Sequence, residues 1–409
     1  NDMADTVLFT LGRLPKGLDL ARSFRLAGFR VIVADPFRWH LMRVSNAVSQ
    51  SYQVTAPNVD RDRYLDELAA IIRREQVSVV VPVSEETMYV AALKGRIPPH
   101  VLVYGMPQAT LLALHNKQRF IEIASDIGLP VPETYRLDDP RAGKLVESTD
   151  YVLKPINTCA GKGVEIKMKG TPPSSRSDAS ALIVQRFING RQACSFSLVH
   201  EGKVLLTVVY RGTIMTGTVA VGFERIDGRT GIEEWVETFV DHVGCSGFIA
   251  FDFILANDGT PYAIECNPRV TSGIHFLPSD IIAPMMLNPN RSLPPRLRVD
   301  RHFQQFWPSL TETQARLFRW PDFTRHLSSL FRAKDVTWHW RDPLPFLLMP
   351  FTSMKILWTA MTTEKTLGEA ATDDIEWKPE PRDKSPAVPT TSSPVDQVST
   401  DRPEAASSP

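Results

Sequence analysis

Residues 248–269 constrain the fold of this chain more than any other stretch, because they form two apolar runs joined by a tight-turn sequence. The turn is Asn257–Gly259, whose residue types tolerate the positive φ angles that a short hairpin needs. Side chains alternate along a strand, so pairing the two runs places Asp252 opposite Glu265 within one residue of register. Asn267 lies on the same face as Glu265. The sequence therefore predicts a β-hairpin that brings two carboxylates and an amide together.

The polar side chains of this hairpin have the chemistry of a divalent-cation site. Two carboxylates at such a separation repel each other unless a proton or a cation lies between them, and oxygen ligands suit Mg²⁺ or Mn²⁺. The alternative is a surface hairpin whose polar residues face water. Phe251 and Phe253 argue against it, because the runs around Asp252 are apolar on both faces. We therefore predict that Asp252, Glu265 and Asn267 bind Mg²⁺ or Mn²⁺.

Composition limits the class of protein and its partners. The chain has 409 residues, enough for two or three domains, and its 43% hydrophobic and 22% charged content is that of a soluble globular protein. Lysine plus arginine equals aspartate plus glutamate at 46 each, so no overall charge indicates nucleic acid or a membrane as a partner. No signal-peptide pattern precedes the first apolar run, and no cysteine has CxxC spacing, so we expect reduced thiols and a cytoplasmic location. The cysteines are Cys159, Cys194, Cys245 and Cys266.

The first 110 residues predict a Rossmann-like parallel sheet. Val7–Leu11 and Val31–Ala34 are apolar strands on either side of an amphipathic helix, which is a β-α-β pattern. Gly12–Gly17 has the glycine spacing of a Walker A motif, but Leu18–Asp19 stands where Lys-Ser/Thr is needed. Leu14 occupies the second glycine of the dinucleotide fingerprint. The sequence thus argues against a P-loop and against a nicotinamide-dependent oxidoreductase.

Two acidic residues follow the apolar strand Val77–Val83. Glu85 and Glu86 lie where open α/β sheets place ligand contacts, so either could hold a substrate ammonium group. The alternative is that they cap the next helix.

Two cationic features lie in the middle of the chain. Lys154 is embedded in the apolar strand Tyr151–Pro155, and a buried ammonium needs an anionic partner. Gly161–Gly163 forms a Gly-Lys-Gly tip between two predicted strands, which can offer backbone N–H groups and a cation to phosphates. An ordinary hairpin turn is the other interpretation of that tip.

Taken in order, these features resemble the ATP-grasp superfamily, most closely its carbamoyl-phosphate-synthase-like and D-alanine–D-alanine-ligase-like branches. The resemblance spans roughly Leu111–Phe276. It rests on Lys117, Leu153–Pro155, Gly161–Gly163, Val184–Gln185, Asp252 and Glu265–Arg269. It implies an α/β (α+β) chain with a Rossmann-like domain at 1–110 and a two-subdomain ATP-grasp fold at 111–285, whose mobile lid covers about 148–190.

The resemblance also implies residue roles. Lys117 and Lys154 would contact the phosphates of ATP, the 159–163 loop would close over them, and backbone groups of Phe187 and Ile188 would bind the adenine edge. The implied nucleotide-binding set is Lys117, Lys154, Cys159, Gly161, Lys162, Gly163, Gln185, Phe187, Ile188 and Gln192. The hairpin ligands would hold Mg²⁺ (or Mn²⁺).

Three positions depart from the family pattern. Gln192 replaces the glutamate that often binds the ribose hydroxyls, Arg186 replaces a common acid, and Ala250 replaces an arginine near the metal aspartate. An amide still hydrogen-bonds a hydroxyl. Charge stabilisation would then come from another arginine, and the catalytic candidates are Arg269, Arg211 and His275. Arg211 could equally be a solvated strand residue, and His275 a hydrogen-bonded structural histidine.

The implied activity is an ATP-dependent carboxylate–amine ligase that works through an acyl phosphate, with an amino acid as one substrate. The alternatives are a carboxylase or carbamoyl-phosphate-type enzyme and a non-catalytic nucleotide-binding scaffold. Lys167–Lys169 is the reverse of a biotin-carrier Met-Lys-Met sequence, which disfavours the carboxylase. The expected partners are small carboxylates and amines, together with a second copy of the chain in a homodimer.

The C-terminal third predicts a helical extension at 286–377. Residues 342–361 are apolar, but Pro345, Pro350 and Lys355 interrupt them, so we predict a helix packed on the ATP-grasp core and no membrane span. A membrane-surface or partner helix is the alternative. Residues 378–409 are rich in Pro, Ser and Thr and predict a disordered tail.

Overall fold

The computed structural model describes residues 5–157, 163–173, 179–228, 230–290, 294–315, 320–363 and 365–379. These residues form a parallel sheet, a small antiparallel sheet, a large and mostly antiparallel sheet, and a helical C-terminal region. The loop residues Cys159, Gly161 and Lys162 lie outside the described residues, as does the predicted tail from residue 380.

The N-terminal domain contains the predicted Rossmann-like sheet, with five parallel strands in the order β3-β2-β1-β4-β5. Three strands are almost wholly buried, because helices cover both faces of a parallel sheet. The strands are β1 (Thr6–Phe9), β2 (Arg30–Asp35), β3 (Gln50–Gln53), β4 (Val77–Val81) and β5 (Leu102–Val103). The helices are α1 (Pro15–Leu26), α2 (Arg61–Arg74), α3 (Thr87–Val90) and α4 (Gln108–His115).

A small four-stranded sheet follows helix α5 (Lys117–Asp126). Asn116 begins α5 by accepting a hydrogen bond from the backbone N–H of Arg119. The sheet has the order β6-β9-β7-β8, and its first strand begins at Thr134, before the predicted lid boundary. Its elements are β6 (Thr134–Arg136), α6 (Pro140–Ser148), β7 (Tyr151–Pro155), β8 (Glu165–Lys167) and β9 (Leu182–Arg186).

The large sheet has seven strands, and its centre is the pairing of β10, β11 and β13. One face packs Phe251 and Phe253 against Trp235 of α7, and the other face turns toward the N-terminal domain through Phe248. Asp252 therefore lies on the face nearer the N-terminal domain. The elements are β10 (Gly190–His200), β11 (Lys203–Thr216), β12 (Val219–Arg225), α7 (Ile232–Val243), β13 (Gly247–Ala256), β14 (Pro261–Asn267) and α8 (Ser279–Leu287).

The C-terminal region is helical, as expected, and it also adds two short strands to the edge of the large sheet beyond β12. Those strands are β15 (His302–Gln304) and β16 (Lys334–Asp335). The helices are α9 (Phe306–Ala315), α10 (Trp320–Arg332), α11 (Leu344–Thr352), α12 (Met354–Thr363) and α13 (Leu367–Thr372).

The predicted helix near residues 342–361 is present as the pair α11–α12, but its buried side packs mainly on the N-terminal domain. Ile356 joins an apolar cluster with Phe37 and with Ala370 of α13. The anchor is Asp342, which pairs with Arg22 of α1 at 3.0 Å. Within the described residues, Leu344–Thr363 is the one helical stretch long and apolar enough to cross a membrane by length and composition, with a mean hydropathy of 1.3.

Candidate active site

The hairpin of β13 and β14 has the predicted register. Asp252 pairs with Glu265, and Ala250 pairs with Asn267, so the polar side chains meet on one face. The turn places Gly259 at a φ of 88°, which glycine adopts without strain. The side-chain N–H of Asn267 donates to Oδ2 of Asp252 at 3.2 Å. The strand pairing that the sequence predicted is confirmed.

Burial and a neighbouring carboxylate both disfavour the charged form of Asp252 in the hairpin. The pKa of Asp252 is raised to about 6, first because burial disfavours the charged form and second because Glu265 is nearby. Cys194 lies opposite Asp252 on β10, and burial raises the pKa of its thiol well above the usual value, so it stays protonated. Two carboxylates and an amide oxygen fit a Mg²⁺ donor set. The side chain of Asn267 donates its N–H to Asp252, so the amide would have to rotate before its oxygen could face a cation there.

Both lysines that the resemblance assigned to the phosphates lie at this hairpin. Nζ of Lys117 is 3.7 Å from Oε1 of Glu265, and Nζ of Lys154 donates to the carbonyl of Ile264 at 3.0 Å. The pKa of Lys154 is lowered to about 8, mainly because burial disfavours the ammonium form and despite the attraction of Glu265. A polyanion bound here would favour the charged form of Lys154 and lessen this penalty.

Arg269 links the hairpin to the N-terminal domain. Its guanidinium donates to Oδ1 of Asn267 at 3.0 Å, and its Nε lies 2.6 Å from Oε1 of Glu85. Glu85 is only 1% exposed, and Arg269 is first among the charges that lower the pKa of this carboxyl against the opposing effect of burial. Glu85 therefore pairs with Arg269. The sequence had left two other possibilities open for Glu85, a substrate ammonium group or a helix cap. Glu86 caps its turn, because it accepts hydrogen bonds from the backbone N–H groups of Val83 and Ser84.

The predicted adenine segment is partly engaged within the protein. The side chain of Gln185 donates to Oγ1 of Thr134 at 2.9 Å, and the N–H of Phe187 donates to the carbonyl of Asp150 at 2.9 Å. The Phe187 N–H therefore does not bind adenine in this conformation, which leaves its carbonyl and the backbone of Ile188. Gln192 is exposed and lines an open cavity of about 510 Å³ together with Arg225.

Two other predicted positions have distinct locations. Gly163 follows the undescribed part of the loop with a φ of 72°. Arg211 pairs with Glu224 at 2.6 Å, on the face of β11 opposite to Tyr210, whereas Tyr210 lies in register with Cys194 beside Asp252. The structure therefore does not bring Arg211 to the hairpin carboxylates.

His275 is a buried structural histidine in this structure. It is 2% exposed, and its Nδ1 lies 2.7 Å from Oδ2 of Asp19 on α1. This geometry agrees with the structural alternative that the sequence left open for His275, and it gives the imidazole a partner outside the hairpin.

Two residues near the site were missed. Nζ of Lys16 donates to the carbonyl of Val270 at 2.7 Å and to Oγ of Ser84 at 3.1 Å. His115 lies 4.0 Å from Glu85, and its pKa is lowered mainly by burial. Lys16 belongs to the Gly12–Gly17 stretch that failed as a Walker A motif. Its position after a parallel strand was the available signal, because ligands approach such sheets at the carboxyl ends of their strands.

The sequence of residues 114–273 matches the family of ATP-grasp domains. This range contains Lys117, Lys154 and the whole β13–β14 hairpin. No curated protein matches the chain over its sequence.

Solved structures with similar folds include three enzymes of low sequence identity to this chain. An L-amino acid ligase from Bacillus licheniformis has a TM-score of 0.53 at 15% identity, over 72% of this chain and 78% of that one. An N5-carboxyaminoimidazole synthetase from Staphylococcus aureus has a TM-score of 0.57 at 13% identity, over 80% and 88%. The biotin carboxylase domain of the 2-oxoglutarate carboxylase of Hydrogenobacter thermophilus, in complex with MgADP, ADP and bicarbonate, has a TM-score of 0.53 at 14% identity. That match covers 66% of this chain and 65% of the length of the carboxylase domain.

At these identities the neighbours establish the fold, and the family match establishes what the central part of the chain is. A Rossmann-like sheet, the small and large antiparallel sheets, and a carboxylate hairpin facing two buried lysines all agree with it. Residues 114–273 are thus an ATP-grasp domain, and the fold of the chain around them is similar to those of the ligase, synthetase and carboxylase structures above.

Proposed function

We propose that this protein is an ATP-dependent carboxylate–amine ligase that forms an amide bond through an acyl phosphate, with an amino acid as one substrate. The observation that carries the proposal is the convergence of opposite charges at the hairpin. Asp252 and Glu265 lie opposite each other on paired strands, and Lys117 approaches Glu265 to 3.7 Å. Such a site has ligands for a divalent cation and cations for a polyphosphate, side by side.

The reaction proceeds in two displacements. A carboxylate oxygen of the first substrate attacks the γ-phosphorus of ATP, the bond to the β,γ-bridging oxygen breaks, and ADP leaves. The amine nitrogen of the second substrate then attacks the acyl carbon, and inorganic phosphate leaves as the amide forms and a proton is released. Lys117 and Lys154 bind the phosphates of ATP and hold the γ-phosphoryl group near the acceptor.

Asp252, Glu265 and Asn267 hold Mg²⁺, which neutralises phosphate charge when bound. Arg269 stabilises the negative charge that develops on the transferring phosphoryl group, the role left open by Ala250. Glu85 fixes the guanidinium of Arg269 through their ion pair of 2.6 Å. The reduced state of the free cysteines Cys194, Cys245 and Cys266 is consistent with a cytoplasmic enzyme.

The test incubates the full chain with ATP and Mg²⁺ and screens pools of amino acids against pools of small carboxylic acids. ADP and phosphate released only when both substrates are present support the ligase. The carboxylate substrate identified in the screen is then labelled with ¹⁸O, and one label must appear in the released phosphate. AMP with pyrophosphate, or phosphate without the label, contradicts the acyl-phosphate route.

Bicarbonate tests the carboxylase alternative in the same assay. Phosphate release that needs bicarbonate and an amine, and that no organic carboxylate supports, would assign the protein to the carboxylases. ATP binding without turnover in any pool would assign it as a nucleotide-binding scaffold.

A further inference from the structure

The helix pair α11–α12 presents a continuous apolar stripe to solvent. The outer stripe recurs with spacings of three and four residues, which keeps its members on one side of a helix. Each of these side chains is between 48% and 81% exposed. They are Leu344, Leu347, Phe351, Met354, Trp358 and Met361.

The opposite side of the helix pair is fixed to the protein, so the outer stripe points away from it. Met349 and Ile356 are buried against the N-terminal domain, and α11 packs along the turn Leu41–Val44. Asp342 anchors the start of α11 by accepting hydrogen bonds from Ser45 at 2.6 Å and from Arg22. The stripe therefore reaches solvent without any unfolding of the helix pair.

Three exposed tryptophans lie near the helix pair, either in sequence or through a contact. Trp340 is 84% exposed and lies two residues before the anchor Asp342. Trp338 contacts Phe346 of α11 at 5.4 Å between ring centroids, and Trp39 lies beside the turn that packs on α11. Tryptophan is enriched where an apolar phase meets water, because its ring is apolar and its N–H is polar.

Basic side chains flank the same surface. Arg43 stacks over Trp39 at 4.8 Å, and Lys355 lies over Phe37 at 4.0 Å. Arg38 and Arg341 are exposed, and the carbonyl of Arg341 accepts a hydrogen bond from Asn46 next to that turn.

Three aspartates packed around the helix pair are paired with cations, and Glu369 of α13 accepts hydrogen bonds from Thr366 in the cap of its own helix. Asp342 is buried with Arg22, Asp373 pairs with Lys365 at 2.8 Å, and Asp374 pairs with Arg13 at 2.7 Å. The sequence from 343 to 363 contains no aspartate or glutamate. The charge of this surface thus complements an anionic partner.

We propose that the outer stripe is a membrane-docking surface that lies in the plane of an anionic phospholipid bilayer. Apolar side chains enter the boundary between headgroups and acyl chains, and the arginines and lysine contact lipid phosphates. A second copy of the chain fits less well, because Pro350 inside α11 and the break at Ser353 interrupt the straight helix that coiled-coil pairing needs. A membrane span would require Met349 and Ile356 to leave the N-terminal domain.

The experiment is flotation of the purified full chain with vesicles of phosphatidylcholine alone or mixed with phosphatidylglycerol. We expect the protein to float with the mixed vesicles, several-fold less with the neutral ones, and less again in high salt. The triple variant Leu347→Glu, Phe351→Glu, Trp358→Glu should reduce the bound fraction about tenfold or more. A matched control, Leu26→Glu, Val59→Glu, Val299→Glu, changes other exposed apolar side chains and should float like the parent.

Circular dichroism and thermal unfolding verify that both variants fold. Absence of flotation with the mixed vesicles overturns the proposal, as does equal loss in both triple variants. Light scattering that shows a dimer, disrupted only by the stripe variant and without vesicle binding, would assign the stripe to self-association. Resistance to carbonate extraction would assign it to a membrane span. None of these readouts depends on ligase activity, so the proposed function and this surface succeed or fail separately.

Discussion

The β13–β14 hairpin buries polar groups, whereas the α11–α12 helix pair exposes apolar ones. Each is the reverse of the usual distribution in a folded protein. The hairpin places the Asp252 carboxylate and the Asn267 amide on a strand face that packs among apolar residues, and Asn267 is 7% exposed. The helix pair leaves side chains as large as Trp358 in water at 69% exposure. Each arrangement costs free energy in the isolated protein. Buried polar groups and exposed apolar patches therefore mark binding sites more reliably than ordinary surfaces do. One region is suited to a cation and phosphates, and the other to an apolar phase.

The largest expected effect concerns the buried polar groups of the β13–β14 hairpin. Glu265→Gln removes a carboxylate from the proposed Mg²⁺ site while keeping the shape of the side chain, so turnover should fall about 10³-fold. Phosphate release in the presence of both substrates measures it. Glu237→Gln, on the exposed side of α7, is the matched control and should keep full turnover. Full turnover in Glu265→Gln would refute the metal assignment.

The next effect concerns the ion pair behind the hairpin. Glu85→Gln leaves the guanidinium of Arg269 without its buried partner, which should lower the free energy of unfolding by about 3 kcal/mol. Chemical denaturation monitored by fluorescence measures the change. Glu122→Gln breaks the exposed pair with Arg119 and should cost less than about 1 kcal/mol. Equal losses in the two variants would show that burial of the Glu85–Arg269 pair does not matter.

The exposed outer stripe predicts that two substitutions in α11 differ in their effect on stability. Met349→Ala removes a buried side chain from α11 and should cost about 2 kcal/mol, whereas Leu347→Ala, on the outer stripe, should change stability by less than about 0.5 kcal/mol. Denaturation curves of the two variants measure it. A large loss from Leu347→Ala would mean that the stripe is covered within the protein.

The smallest effect is a dependence on pH. The folded-state pKa of Asp252 is raised to about 6, so the folded protein binds a proton more tightly than the unfolded chain does. Stability of the metal-free protein should therefore fall as pH rises from about 4 to 6. Mg²⁺ must displace that proton, so its apparent affinity should weaken about tenfold for each pH unit below 6.

Calorimetric titration of Mg²⁺ between pH 5 and pH 8 measures the change in affinity. Asp252→Asn should bind Mg²⁺ weakly and with little dependence on pH. A flat profile in the parent protein would indicate that Asp252 does not bind the metal.

Prediction from the sequence worked best where the pattern was local. The turn residues Asn257–Gly259 predicted the hairpin, and the pairing of Asp252 with Glu265 lies within the one residue of register that the sequence allowed, because a bulge next to Phe253 shifts the register there. The β-α-β pattern likewise gave the parallel sheet. The sequence could not indicate partners that come from distant segments. His275 meets Asp19, which is 256 residues away.

The sequence by itself thus determined the elements, the ordered motif set and the carboxylate hairpin, because short-range geometry and residue type are enough for these. Only the tertiary structure decided that Glu85 pairs with Arg269, that Lys16 reaches Val270, and that the helix pair faces outward. The physical reason is that a side chain's partner depends on which elements the fold brings together. The sequence pattern of an apolar stripe is the same whether protein or solvent covers the stripe.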